Sequence, residues 1–217
     1  MSAHHVKTSE IRNPGPWRFS PLAKGAFGFC AVVGLASIAF AMSSDPNRAW
    51  PNFLLNFFFF LLLGIAGAFF TAIQHITNAY WSVTVRRIAE GLTAYLPVAL
   101  VFALVLLFGK HHLYEWTHNQ VVSHDHLLSL KTPYLNEGFF TFRILVFFAV
   151  WIFFTWKMRS NSVAQDSTGD SKYTLANIKT SAIFLPFFAI SLSFGATDLV
   201  MSLEPHWFST IFGVYCF

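Results

Sequence analysis

Five stretches of the chain run almost unbroken in apolar residues for long enough to cross about 30 Å of hydrocarbon. They are Leu22 to Met42, Phe53 to Thr77, Leu92 to Phe108, Phe139 to Trp156 and Thr180 to Ser202. Each is predicted to be a transmembrane helix, because in lipid the backbone must satisfy its own hydrogen bonds within the segment. A sixth apolar run begins near Phe208 and reaches Phe217 after ~15 Å of rise if helical, about half a bilayer. The expected fold is all-α, a polytopic transmembrane bundle of five full spans plus a truncated sixth, so the chain reads as a fragment. Residues 1–21 form a leading segment and 22–217 the transmembrane domain. Ala39-Phe40-Ala41 resembles a signal-peptidase site, but the run is longer than a usual signal core and 21 residues precede it. It reads as an uncleaved first helix.

Between the spans the polar residues sort by side. Lys7, Arg12, Arg18 and Lys24 lead the chain, Arg86 and Arg87 fill the second connection, and Lys157, Arg159, Lys172 and Lys179 flank the fourth. The other connections hold only Arg48, Lys110 and Lys131. The excess of Lys and Arg predicts a cytoplasmic amino terminus, with the odd-numbered connections outside. The longest outer connection, 109–138, carries five of the nine His residues, and mixed helical spacing over His111 to Leu130 predicts one or two short helices along the membrane surface. Ser160 to Lys172, rich in Ser, Asp, Asn and Gly, reads as a flexible connection.

Composition narrows the function classes. Of 217 residues, 55% are hydrophobic, 11% are charged and 27 are Phe, which excludes a water-soluble globule and makes lipid the solvent. The net charge of +4 never gathers into a basic stripe, so nucleic acid is not an expected partner. Cys30 and Cys216 sit in apolar stretches, and neither CxxC nor CxxCH occurs, which excludes covalent haem c and a Cys-ligated iron–sulfur cluster on this chain.

Ionisable residues at membrane depth are few, and each is a functional candidate. Near the outer side, Arg143 and Asp198 lie at similar depth, with Glu204 and His206 following Asp198. Such a set suits taking protons from a reduced quinone and passing them outward. Equally, Arg143 snorkels to the interface and Asp198 pairs with it to hold two helices together. Near the inner side, Gln74, His75 and Asn78 end the second run, and Arg86, Arg87 and Glu90 precede the third. They read either as the mouth of a proton-entry half-channel or as an interfacial cap. His75 has no partner at its depth, which argues against haem b. His118, His124, Asp125 and His126 match no familiar zinc spacing, so no metal is expected. Pro97 and Pro186 are predicted kink sites. Gly64, Gly67 and Ala68 allow close helix approach, Phe57 to Phe60 read as lipid-facing or interhelical, and most Trp residues fall in an interfacial belt.

The order of these residues resembles a known family. Gln74-His75, Trp81-Ser82, Arg86-Arg87-Ile88 and Glu90 carry the likeness, within Asn56 to Glu90. So do Leu113 to His118, Tyr134-Leu135-Asn136, Phe139-Phe140, Met201-Ser202 and His206 to Thr210. From about Trp50 onward the chain resembles the smaller quinol-oxidoreductase membrane subunits, ActF, of bacterial alternative complex III, which are related to NrfD-type membrane proteins. The resemblance implies a multi-pass subunit of the bacterial inner membrane, built of a pair of four-helix bundles plus extra helices. It implies a larger sister NrfD-like subunit, periplasmic iron–sulfur and multihaem cytochrome partners, and a terminal oxidase as one route for electrons. Quinol is then oxidised by the complex, with haem c and iron–sulfur clusters held by the partners and no cofactor on this chain. Arg143, Asp198, Glu204 and His206, and Gln74, His75, Arg87 and Glu90, fall within matched stretches and gain weight as proton-handling candidates. The family's quinol pocket belongs to the sister subunit.

Overall fold

The computed structural model describes residues 19–216, so Lys7, Arg12 and Arg18 of the leading segment lie outside the described residues. Among those described, every regular element is helical. Five helical segments are long and apolar enough to cross a membrane: Pro21–Ser44, Pro46–Ile76, Val83–Phe108, Glu137–Thr168 and Lys172–Leu203.

The chain divides into two units after Ser44. The first contains α1 (Pro21–Ser44), none of whose residues is buried. Its hydroxyls are satisfied without a neighbour: Ser37 donates to Val33 O, and Ser43 and Ser44 donate to Phe40 O. That local solution lets a helix carry Ser on an apolar surface.

The second unit is built on α2 (Pro46–Ile76). Asp45 accepts from Arg48 N as its cap, and Pro46 occupies a first-turn position where a missing N–H costs nothing. Leu54, Phe57, Leu61, Ile65, Ala68 and Ala72 recur at three- and four-residue steps and are buried. They pack with α4 (Leu96–Phe108), α8 (Glu137–Thr168) and α9 (Lys172–Leu199) through Ala99, Ala103, Phe140, Phe148, Phe184 and Phe188. The outward faces are equally apolar, with Leu55, Phe59, Phe142, Phe153 and Phe187 exposed. Phe57 is thus interhelical while Phe59 and Phe60 face out.

α3 (Val83–Leu92) lies against α2 because Gly67 has no side chain. A Cβ there would stand 2.6 Å from Ala89 O and 2.9 Å from Leu92 Cβ. The third span starts nine residues before the predicted Leu92, at Val83, and turns through a 3₁₀ step at Thr93–Tyr95 ahead of Pro97. The bend thus falls just before the proline, whose ring sits in the first turn of α4, where no hydrogen bond is lost. Pro186 lies inside α9 without ending it.

Three further boundaries differ from the hydropathy reading. α2 begins at Pro46 rather than Phe53. The predicted flexible stretch from Ser160 is instead the last turns of α8, which continues to Thr168 and stops at Gly169 in the left-handed conformation (φ 67°). Polar composition misled there because tertiary partners hold those turns: Gln165 Nε2 donates to Thr174 Oγ1 at 2.7 Å, and Arg87 pairs with Asp166. The connection at 109–138 holds more helix than expected, with α5 (Lys110–Leu113), a 3₁₀ turn at Glu115–Thr117, α6 (Asn119–His124) and α7 (His126–Lys131). Beyond Phe208, the described residues form one helical turn, α10 (Phe212–Tyr215). Trp151 is an exception to the interfacial belt expected for most Trp residues: it is buried and donates to Ser191 Oγ at 2.8 Å.

Candidate functional site

The buried ionisable and amide side chains of the second unit gather at two ends of the bundle. Arg143 near the start of α8 and Asp198 near the end of α9 meet at one end. His75 near the end of α2, Asn161 on α8 and Asn177 on α9 meet at the other. Eighteen residues of α8 separate Arg143 from Asn161, roughly 27 Å of helix.

At the Arg143 end the guanidinium forks onto the carboxylate. Nε donates to Asp198 Oδ2 at 2.7 Å and Nη2 to Oδ1 at 2.9 Å. Nη1 donates to Tyr134 O at 3.0 Å. The rings of Tyr134 and Phe139 lie against the same guanidinium, at 3.8 and 4.3 Å. Asp198 is fully buried and Arg143 is 7% exposed. A bidentate, charge-assisted pair with an added carbonyl and aromatic faces compensates the cost of taking both charges out of solvent. Ser202 donates to Asp198 O and Tyr114 to Leu199 O, which closes the end of α9. Burial pushes the Tyr134 phenol above its usual range, and the Asp198 charge adds to that effect.

Glu204 and His206 do not join this pair. Glu204 is exposed and has no side-chain hydrogen bond or ion pair among the described residues. His206 Nε2 instead donates to Asp125, which also caps α7 by accepting from Leu127 N at 2.8 Å. The His206 hydrogen bond and, after it, the Leu128 amide hold the Asp125 carboxyl below its usual range. Lys131 donates to Pro205 O beside it. These contacts clasp the short helices onto the segment after α9. Of the other histidines in the connection, His118 and His124 turn to the backbone carbonyls of His111 and Gln120, and His111 and His112 to the side chains of Thr117 and Asn47.

The His75 end is built differently. Asn177, fully buried, accepts from Asn161 Nδ2 at 2.8 Å and donates to Met158 O at 3.1 Å. Its Nδ2 also lies 3.4 Å from His75 Nε2. An amide nitrogen only donates, so Nε2 accepts and the neutral ring carries its proton on Nδ1. That Nδ1 is buried with no partner among the described residues, and so are Gln74 Oε1 and Glu90 Oε1. Glu90 Oε2 accepts from Arg87 Nη1 at 2.7 Å, and Arg87 reaches on to Ser162 O and Asp166. Asn78 lies past the end of α2, exposed, with a left-handed backbone (φ 51°). Of the inner residues expected from sequence, Gln74, His75 and Glu90 are buried, Arg87 bridges to α8, and Asn78 stays at the rim.

Asn161 and Asn177 were not legible as site residues. Both fall beyond the hydropathy limits of their spans, and only the continuation of α8 and α9 past those limits brings them against His75. Compared with known protein families and with curated protein sequences, the chain has no match.

Proposed function

We propose that this chain is an integral membrane subunit of a respiratory quinol-oxidising complex of the alternative complex III type, and that its His75 end admits protons from the cytoplasmic side. The residue-order likeness to ActF subunits supports the first part, and with it a sister NrfD-like subunit, iron–sulfur and multihaem partners and the bacterial inner membrane. The observation that carries the second is the set of buried polar atoms left over at the His75 end. A buried donor or acceptor without a partner costs about 1–3 kcal/mol, and internal water is the usual remedy. Gln74 Oε1, His75 Nδ1 and Glu90 Oε1 together supply two acceptors and a donor for such water. A carboxylate and an imidazole joined by water exchange protons readily.

The Arg143 end has a different role in this reading. Each carboxylate oxygen of Asp198 accepts from Arg143, and this bidentate pair clamps α8 to α9. That engagement favours the scaffold reading for this end. The test is quinol turnover and proton uptake by the assembled complex. Glu90→Gln and His75→Leu are expected to lower both by about 100-fold or more, the range of a lost acid–base group. Unchanged turnover and proton stoichiometry in a fully assembled complex would leave the scaffold reading for the whole chain.

A further inference from the structure

We infer that Arg86 is the phosphate-binding residue of a site for an anionic phospholipid, with one acyl chain lying in the groove between α2 and α3. Unlike the proton path, this inference needs no redox partner.

Arg86 and Arg87 are adjacent, yet their surroundings differ. Arg87 is bonded to Glu90, to Asp166 and to Ser162 O, so its charge is matched within the protein. The Arg86 side chain makes no hydrogen bond or ion pair among the described residues, and its Nε is buried without a partner. The nearest balancing carboxylate, Glu90, is committed to Arg87. A cleft of about 300 Å³ opens beside it, walled by Asn78, Tyr80, Arg86, Arg87, Gln165 and Asp166. Asn78 and Tyr80 add neutral donors, and the one carboxylate on the wall, Asp166, is held by Arg87. A guanidinium with free N–H groups and neutral donors around it suits a phosphodiester oxygen pair. Lys157, Arg159 and Lys179 lie toward the same end without an ion pair among the described residues, which leaves this end with unbalanced positive charge.

A lipid fits better than free phosphate because of what adjoins Arg86. On the α3 helical wheel, Val83, Arg87 and Glu90 share one face and Val85, Ile88 and Leu92 the opposite one, with Arg86 on the boundary. The apolar face forms, with Leu63, Ala66, Phe70 and Ile73 of α2, a groove of about 510 Å³. Tyr80 and Trp81 are 82% and 68% exposed at the rim, the position aromatic side chains take at headgroup level. The same helix therefore offers a phosphate donor and an acyl slot side by side. Basic pockets between transmembrane helices are established sites for anionic headgroups.

The test uses the full chain purified in detergent and stripped of lipid. Phosphatidylglycerol, phosphatidylcholine and inorganic phosphate are added separately at equal concentration, with retained lipid read by native mass spectrometry and stability by Tm. Phosphatidylglycerol is expected to remain bound and raise Tm, whereas phosphatidylcholine and phosphate do neither. Arg86→Gln should weaken phosphatidylglycerol binding about five- to tenfold. Ala66→Phe, which fills the groove and leaves Arg86 in place, should weaken it comparably and reads the site even if the Arg86 variant fails to fold. Equal retention of phosphatidylcholine, equal protection by inorganic phosphate, or wild-type binding by the folded variants would each overturn the assignment.

Discussion

Removing either partner of the Arg143–Asp198 pair strands a charge where no solvent reaches it. Arg143→Met is expected to destabilise the chain by about 3–5 kcal/mol, measured by reversible unfolding in mixed micelles. Replacing both, as Arg143→Met with Asp198→Leu, should recover most of that loss, because the desolvation cost disappears with the charges. The stable double variant should also keep quinol turnover in the assembled complex, whereas a proton-relaying pair would leave it stable and inactive. At the other end, Asn177→Leu strips partners from Asn161, Met158 O and His75 together and should cost about 1–3 kcal/mol per stranded group, seen as a lower Tm. Both ionic partners were legible in the sequence, since a charge within an apolar run must find a counter-charge. The asparagines were not, because Asn near the end of an apolar run scores as loop whether or not a neighbouring helix satisfies it.

Apolar runs located the spans but not their limits. Hydropathy sees the lipid-facing middle of a helix, whereas caps and cross-helix hydrogen bonds decide where it stops, as Asp45 does for α2 and the Arg87–Asp166 pair for α8. The packing of α3 on α2 depends on one residue. Gly67→Leu cannot be accommodated against Ala89 O without moving α3 and should abolish its packing, read as new protease sensitivity around residues 78–92. The clasp between α7 and the segment after α9 has a pH signature. The Asp125 carboxyl is depressed in the folded protein, so its stabilising contribution is full above the usual carboxylate value of about 4 and is lost as pH falls through the lower folded value. Hydrogen exchange over residues 119–131, corrected for intrinsic rates, should stay protected from neutrality to about pH 4 and lose protection below it. Asp125→Asn should remove that step.

For the whole molecule, the arithmetic of few charges and many Phe residues becomes a spatial statement. The second unit keeps its ionisable and amide groups at two ends and an apolar, aromatic-packed middle of Ile65, Phe148, Trp151, Phe184 and Phe188 between them. On the proposed function, a proton entering at His75 would find no titratable residue among those described to step onto across the middle, and its onward route would run through water, hydroxyls or a neighbouring subunit. Residue spacing brought the two polar ends to view. The division of Arg143, Asp198 and His206 between the Arg143–Asp198 pair and the Asp125–His206 clasp needed the fold, since 81 residues separate the partners in the clasp. The most direct measurement is purification of the tagged chain from native membranes in mild detergent, followed by haem spectra and quinol oxidation assays on the eluate. Co-elution of haem and iron–sulfur subunits with quinol-oxidising activity is the predicted result. Elution of the chain alone, free of haem and without quinol oxidation, would contradict it.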